Sequence, residues 1–292
     1  MFRYIQKLGL GSAQWGLNYG ISNTFGQPSS EEVSKIINLA SDKGIKLIDT
    51  ANSYGNSENV IGQNNLKDFK IITKISLNNL RDKQFLTDKF YESLNNLGLK
   101  TLHGLLIHNC DELFSVDYQL LIDLLVNLKN QGLVEKIGFS AYNSNQINNG
   151  LNLFKPDIVQ IPFNVFDQRL LNDGTLNILK NKKIEVHARS IFLQGLLIMN
   201  PAQIPKYFDK WKILLQRWHN YCIEIGSSPK SVALSFSSSQ NLIDKVIIGI
   251  EKSTQLMEII DLPAVSSNLN LSFLSCEEED LIDPSFWNIN QI

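Results

Sequence analysis

The sequence predicts an α/β fold, a single (β/α)8 barrel spanning residues 1–292, and three observations carry that reading. Short runs rich in Ile, Val and Leu recur eight times along the chain. They are apolar on consecutive positions, as suits parallel strands covered on both faces. No Pro/Gly/Ser-rich linker divides the 292 residues, so one barrel fits better than two domains.

Taken in order, the first strand is expected over Lys7–Ala13 and the second over Lys46–Ala51. Between them, Ser29-Ser30 introduces a helix over Glu31–Asp42 with Val33, Ile36, Ile37 and Ala40 on one face, stopped at Lys43-Gly44. A short helix is expected from Asn56-Ser57-Glu58, with Glu58 in its first turn where the dipole favours an acid. The third strand, Phe69–Ile75, precedes a helix over Asp88–Leu97 that ends at Gly98. The fourth, Leu102–His108, precedes a helix over Tyr118–Lys129 with Leu121, Leu124, Leu125 and Leu128 on one face. Strands five to eight are expected over Lys136–Ala141, Ile158–Phe163, Ile184–Arg189 and Lys245–Ile250. An insertion after strand seven, Pro201–Gly226, comes before a helix over Ser231–Ser239. The C-terminal tail from Pro263 has no strand signal, and its acidic run Glu277–Asp280 reads as a solvated face. Insertion and tail read either as covers of the barrel ends or as walls of a pocket, with Trp15, Trp211 and Trp287 as candidate apolar walls.

Composition narrows the function classes. A net charge of −2 with both signs interspersed gives no case for nucleic acid or an anionic membrane. Cys110, Cys222 and Cys276 are far apart and odd in number, as expected of reduced thiols. Arg3 and Lys7 interrupt any signal-peptide core, and the most apolar stretch, Ile191–Met199, is about half of what a membrane span needs. A cytoplasmic protein is the expectation. The sequence carries no signal for an oligomeric state.

In a barrel of this kind, active-site groups lie at the carboxyl ends of the strands. Strand two ends at Asp49, strand three carries Lys74 and strand four ends at His108, and Tyr54 follows strand two beside Gly55. Each strand-end residue alone has an ordinary role as a turn cap, a snorkelling lysine or a hydrogen-bonded core histidine. Three ionisable groups at one end of three consecutive apolar strands form a set, because charge near a core must be paired. A phenol has a pKa of about 10. A nearby ammonium stabilises the phenolate and a carboxylate holds the ammonium in place. Tyr54 as general acid, Lys74 beside it, Asp49 as counter-ion and His108 orienting a carbonyl suit protonation of an oxygen as hydride reaches carbon.

These residues sit in stretches that resemble the aldo-keto reductase superfamily: "LGLGSAQWG", "DTANSYGNSE", "TK", "LLIH", "GLVEKIGFSAY", "IVQIPFN", "GLL" and "VIIGIEKSTQL". The resemblance runs almost the whole chain. It implies a nicotinamide cofactor across the strand ends, the tetrad Asp49, Tyr54, Lys74 and His108, and a small carbonyl or alcohol substrate. Gly11, Ser12 and Ala13 resemble the segment under the nicotinamide ribose, and Ser140 and Gln160 the carboxamide-holding positions. Ala141 replaces the usual Asn, and Arg189-Ser190-Ile191 replaces the stretch with the aromatic that stacks on nicotinamide. A planar guanidinium also stacks on rings, so Arg189 is expected in that role, with Ser190 and Gly195 nearby. Gly249–Gln255 resembles the adenosine-phosphate loop. NADP(H) is the cofactor implied by default, with NAD(H) as the alternative, since Glu251 would repel a 2′-phosphate that Lys252 would attract. Asn52, Asn109 and Asn164 near strand ends suggest a sugar-like substrate.

Rival motifs fail on spacing. Gly9, Gly11 and Gly16 miss the dinucleotide fingerprint, and the stretch from Gly11 to Leu17 lacks the P-loop lysine. "GFSAY" has Tyr142 where a nucleophile elbow needs glycine. His103 and His108 point to opposite strand faces and cannot share a metal; no metal site is expected. His187 reads as a satisfied core residue and His219 as a helix-surface one. Two other functions compete with a reductase: a cofactor-binding regulatory subunit of the same fold with little turnover, and a metal-dependent hydrolase, for which only Asp49 and His108 are ligand candidates.

Overall fold

Eight parallel strands close into a barrel in chain order: β1 (Leu8–Gly11), β2 (Leu47–Asp49), β3 (Lys70–Ile75), β4 (Leu102–Ile107), β5 (Val134–Ser140), β6 (Ile158–Pro162), β7 (Glu185–Arg189) and β8 (Lys245–Gly249). The computed structural model describes residues 4–76, 83–114, 118–263, 265 and 269–287. Arg3 and part of the expected tail, residues 264, 266–268 and 288–292, lie outside them. The strands fall inside the expected runs except β5, which starts at Val134 because Val134 pairs with Leu102 at the start of β4.

Alternation along the strands builds two cores. Inward positions Leu47, Ile72, Leu106, Ile158 and Ile247 fill the barrel, while the intervening residues pack outward under the helices. Gly9 is inward too: a Cβ there would lie 2.8 Å from both Leu47 and Ile247. The outer layer includes α1 (Ser30–Asp42), α2 (Ser57–Gly62), α3 (Lys83–Leu97), α4 (Tyr118–Asn130), α5 (Ser144–Leu153), α6 (Thr175–Asn181), α7 (Lys212–Glu224), α8 (Pro229–Ser239) and α9 (Ser253–Asp261). Local chemistry sets their ends. The Ser29 hydroxyl accepts the Glu32 N–H at 3.2 Å to cap α1, and Gly44 leaves that helix at φ +82°.

The insertion after β7 is mostly helix. Trp211, Leu215, Trp218 and Cys222 are buried at alternating spacings of four and three, so α7 presents one apolar stripe to the body. The Trp218 indole donates to the Leu197 carbonyl at 2.8 Å, tying α7 to the chain just after β7. Among the described residues, no helix is long and apolar enough to cross a membrane, and no cluster of His, Cys, Asp and Glu could hold a metal.

Candidate active site

The register that closes the barrel also assembles the site. On every strand the inward positions run in steps of two, and toward the carboxyl ends they include Gly11, Asp49, Lys74, His108, Ser140, Gln160, Arg189 and Gly249. His108 stands one residue beyond β4 and keeps its parity. Pairing fixes neighbours: Gly11 lies opposite Asp49 and Gly249, and Ser140 opposite Gln160. All but Lys74 line a single cleft of about 360 Å³.

Lys74 lies beneath that cleft with only 1% of its side chain exposed, and Asp49 has 5%. The ammonium donates to Asp49 Oδ2 at 2.6 Å and to the Thr50 carbonyl at 2.9 Å. Burial opposes the charge on Lys74, but Asp49 and Tyr54 together outweigh it and raise the lysine's pKa. Gln160 Nε2 donates to the other carboxylate oxygen at 2.7 Å, so Asp49 is held from two sides. Lys74 Nζ sits 5.2 Å from the Tyr54 ring centroid, and the Tyr54 and His108 rings meet edge to face at 5.5 Å. Burial, with the charges of Lys74 and Arg189, lowers the His108 pKa to about 4, so its imidazole is neutral at physiological pH. Its Nδ1 lies 2.9 Å from the Ser53 hydroxyl.

Tyr54 reaches this position through two abutting glycines. Gly55 has φ +55°, and a Cβ there would lie 2.3 Å from the Gly16 carbonyl oxygen. A Cβ on Gly16 would lie 1.8 Å from the Tyr54 carbonyl oxygen. Any larger residue at either place would push the Tyr54 turn off the barrel mouth.

The rest of the cleft runs toward the α9 end. Gly11, Ser12, Ala13, Ser190 and Gly195 line it, as do Gly249, Glu251 and Gln255. The rim after β7 is conformationally unusual, with positive φ at Ser190, Leu193, Gln194 and Gly195. Its start is pinned by Asn164, whose amide donates to the Ser190 carbonyl at 3.1 Å. Gln160 lines the cleft, and its Oε1 atom is a buried acceptor with no partner. That orphan fits an amide N–H2 donor such as the carboxamide of a nicotinamide.

Lys252 is not in the lining. Its ammonium lies 3.2 Å from the Phe25 ring centroid. Beside it, Glu32 of α1 accepts both the Ser253 N–H and the Ser253 hydroxyl at 2.7 Å, which holds its carboxyl below the usual range. The first N–H of α9 is therefore taken by a carboxylate.

The sequence profile described as "Aldo/keto reductase family" matches residues 7–269. The chain belongs to the aldo/keto reductase family. It is thus an oxidoreductase acting between carbonyl and alcohol groups, in a family that uses nicotinamide cofactors. It is similar to an Escherichia coli protein named NADH-specific methylglyoxal reductase, 24% identical over 268 residues, covering 78% of this chain and 80% of that one. Among solved structures, an aldo-keto reductase from Bacillus halodurans (holo form) shares the fold at TM-score 0.74, with 16% identity and 92% of each chain covered. The glycerol dehydrogenase from Gluconobacter oxydans does so at TM-score 0.70, with 20% identity, covering 95% of this chain and 92% of that one.

Several expected features lie elsewhere. Trp15 is buried, its indole donating to the Ile250 carbonyl at 2.8 Å, and Trp211 and Trp287 pack with Tyr207 and Phe208. None of these tryptophans lines the cleft, and among the described residues neither the insertion over 201–226 nor the tail contributes to it. Asn52, Asn109 and Asn164 are also outside it; Asn164 instead turns its own loop, accepting the Phe166 and Asp167 N–H groups. Glu58 stands in the first turn of α2, as expected. It is buried against β3, accepts the Thr73 hydroxyl at 2.6 Å, and burial raises its carboxyl pKa. His187 is only half satisfied: Nε2 meets Glu185 at 2.8 Å and Nδ1 has no partner. His219 is half-buried rather than exposed.

Site residues that the sequence did not single out include Tyr19, Gln14, Tyr142 and Lys230 in the lining, with Ser53 and Glu32 behind it. Tyr142 was within reach, since it continues the inward parity of Ser140 by two. Tyr19 and Glu32 arrive from other segments, and no local pattern marks them.

Proposed function

We propose that the chain catalyses nicotinamide-dependent reduction of an aldehyde or ketone to an alcohol, with Tyr54 as the proton donor. The observation that carries this reading is the buried Lys74–Asp49 pair beside Tyr54, 2.6 Å long and nearly closed to water. A buried ammonium held by a carboxylate and a backbone carbonyl is a fixed positive charge, and such a charge stabilises a neighbouring phenolate. Tyr54 gives its proton to the oxygen that becomes the alcohol. His108, neutral and steadied at Nδ1 by Ser53, offers Nε2 to the same oxygen. The bound dinucleotide supplies the hydride.

In this reading Gln160 Oε1 and Ser140 hold the carboxamide, and Gly11–Ala13 lie along the adjoining ribose. One face of the Arg189 guanidinium rests on Tyr142, 4.3 Å from its ring centroid, and the opposite face meets the nicotinamide ring. NAD(H) is the preferred form. Glu32 already holds the α9 terminus and Glu251 lines the cleft, so a 2′-phosphate there would face two carboxylates, while Lys252 is engaged on Phe25. The Escherichia coli relative named as NADH-specific is consistent with this choice.

The test is a fluorescence titration with NADH and NADPH, then a carbonyl panel with the tighter dinucleotide, followed by loss of its absorbance. Tighter NADH binding and turnover are expected. Binding without turnover across the panel would favour a regulatory subunit, and binding of neither dinucleotide would end the proposal.

A further inference from the structure

Among the described residues, the reductase reading leaves one cation of the cleft lining without a carboxylate partner. Arg189 closes β7, is half-buried, and lines the cleft with Tyr54 and His108. Among the described residues, no carboxylate lies within 4.0 Å of its guanidinium. Two acids at the same end of the barrel are committed elsewhere. Asp49 is held by Lys74 at 2.6 Å and Gln160 at 2.7 Å, and Asp167 by two bonds from Arg169 at 2.9 and 3.0 Å. What surrounds Arg189 instead is phenolic: its charge faces Tyr142, Tyr19 and Tyr54. Hydroxyl groups offer hydrogen bonds without neutralising a cation.

At the reacting end, Asp49 and Lys74 cancel and His108 is neutral, so Arg189 leaves one net positive charge there. A cation partly removed from water without a counter-ion is costly, and the cost is relieved when an anion arrives. Guanidinium is the side chain best matched to a planar or tetrahedral oxyanion, because its N–H fork donates two parallel bonds. Stacking on Tyr142 uses a face of the group, and the neighbouring Tyr142 hydroxyl, a neutral partner, leaves its charge without a counter-ion.

We infer that Arg189 receives an oxyanion of the substrate, so that the carbonyl compound reduced here also carries a carboxylate or a phosphate. This rests on the reductase reading and adds the substrate class to it. Tyr142 and Tyr19 would then flank the anion as hydroxyl donors.

The test uses the full chain with saturating dinucleotide and two pairs of matched aldehydes: 4-oxobutanoate against butanal, and glyceraldehyde 3-phosphate against glyceraldehyde. Dinucleotide affinity is measured separately by fluorescence quenching, in the unaltered chain and in Arg189→Met and Arg189→Lys. At least one charged aldehyde is expected to exceed its neutral twin about tenfold or more in kcat/KM, carried by KM. Arg189→Met should bring the twins to within about twofold and Arg189→Lys should keep part of the preference. Equal use of the twins by the unaltered chain overturns the inference, as does a preference that survives in Arg189→Met. A loss in both variants confined to dinucleotide affinity overturns it too, and assigns Arg189 to the cofactor alone. Failure of the reductase reading looks different: no aldehyde is reduced and no dinucleotide is bound, and the inference falls with it.

Discussion

The two ends of the barrel both carry polar groups on inward positions, and they treat them in opposite ways. At the amino end, Lys136 and His187 converge on Glu185 and Lys245 donates to the Gln6 carbonyl at 2.8 Å. Burial works against the Glu185 charge, but its bonds to His187 and Lys136 hold the carboxyl below the usual range. At the carboxyl end, the Lys74–Asp49 pair is more deeply buried, yet among the described residues Gln160 keeps a buried acceptor without a partner and Arg189 lacks a carboxylate. Groups that satisfy one another stabilise a fold. Groups left waiting on a built frame mark where a ligand completes the set. His187 Nδ1 is the exception in the middle of the barrel: a buried orphan with no cleft beside it.

The largest effect should come from breaking the closed pair at the carboxyl end. Lys74→Met leaves Asp49 as a buried, uncompensated charge, with an expected stability loss of about 3–5 kcal/mol by denaturant unfolding. The same change should lower kcat by roughly a hundredfold or more. Normal turnover in the folded variant would show that the pair is structural, like its counterpart at the other end.

Glu185→Gln should sharpen the contrast from the amino end. It removes the negative charge and one of the two oxygens that meet Lys136 and His187, with an expected loss of about 1–3 kcal/mol and unchanged kcat/KM. The pH dependence has a defined sign. Because the folded pKa of Glu185 is depressed, its stabilisation is present above the ordinary value of 4.5 and is lost as pH falls below it. His108 acts in an adjoining window. Its folded pKa of about 4 lies under the ordinary 6.5, so the unfolded chain binds the extra proton first, and stability declines as pH drops from 6.5 toward 4. Unfolding titrations of Glu185→Gln and His108→Gln should separate these windows.

The smallest effect concerns the far end of the cleft. Glu32→Gln keeps a hydrogen-bond acceptor for Ser253 and removes the negative charge, so NADPH binding should improve by about threefold to tenfold relative to NADH. An unchanged ratio in fluorescence titrations would place cofactor discrimination elsewhere.

Much of this was legible in the sequence because strand alternation is strict. Once Asp49, Lys74 and His108 are assigned to strand ends, a step of two brings Gly11, Ser140, Gln160, Arg189 and Gly249 into the same ring. The insertion was less legible: Trp211, Leu215, Trp218 and Cys222 already show a helical stripe, but Pro201 and Pro205 at its start suggest a loop. Glu58 was legible only as a first-turn acid, because its position in a helix is local information, while Thr73, whose hydroxyl it accepts, belongs to another element. Tyr19 and Glu32 depend on how the segment between β1 and β2 folds back across the barrel, and no short pattern encodes that. Asn164 had the composition of a sugar contact and the geometry of a turn.

The central claim is that the closed pair at the carboxyl end exists to serve Tyr54. Its most direct test is single-turnover dinucleotide oxidation by a carbonyl substrate in the Tyr54→Phe protein, with dinucleotide affinity measured on the same sample. The account predicts unchanged affinity and a rate reduced by about a hundredfold or more; a rate equal to that of the unaltered chain would contradict it.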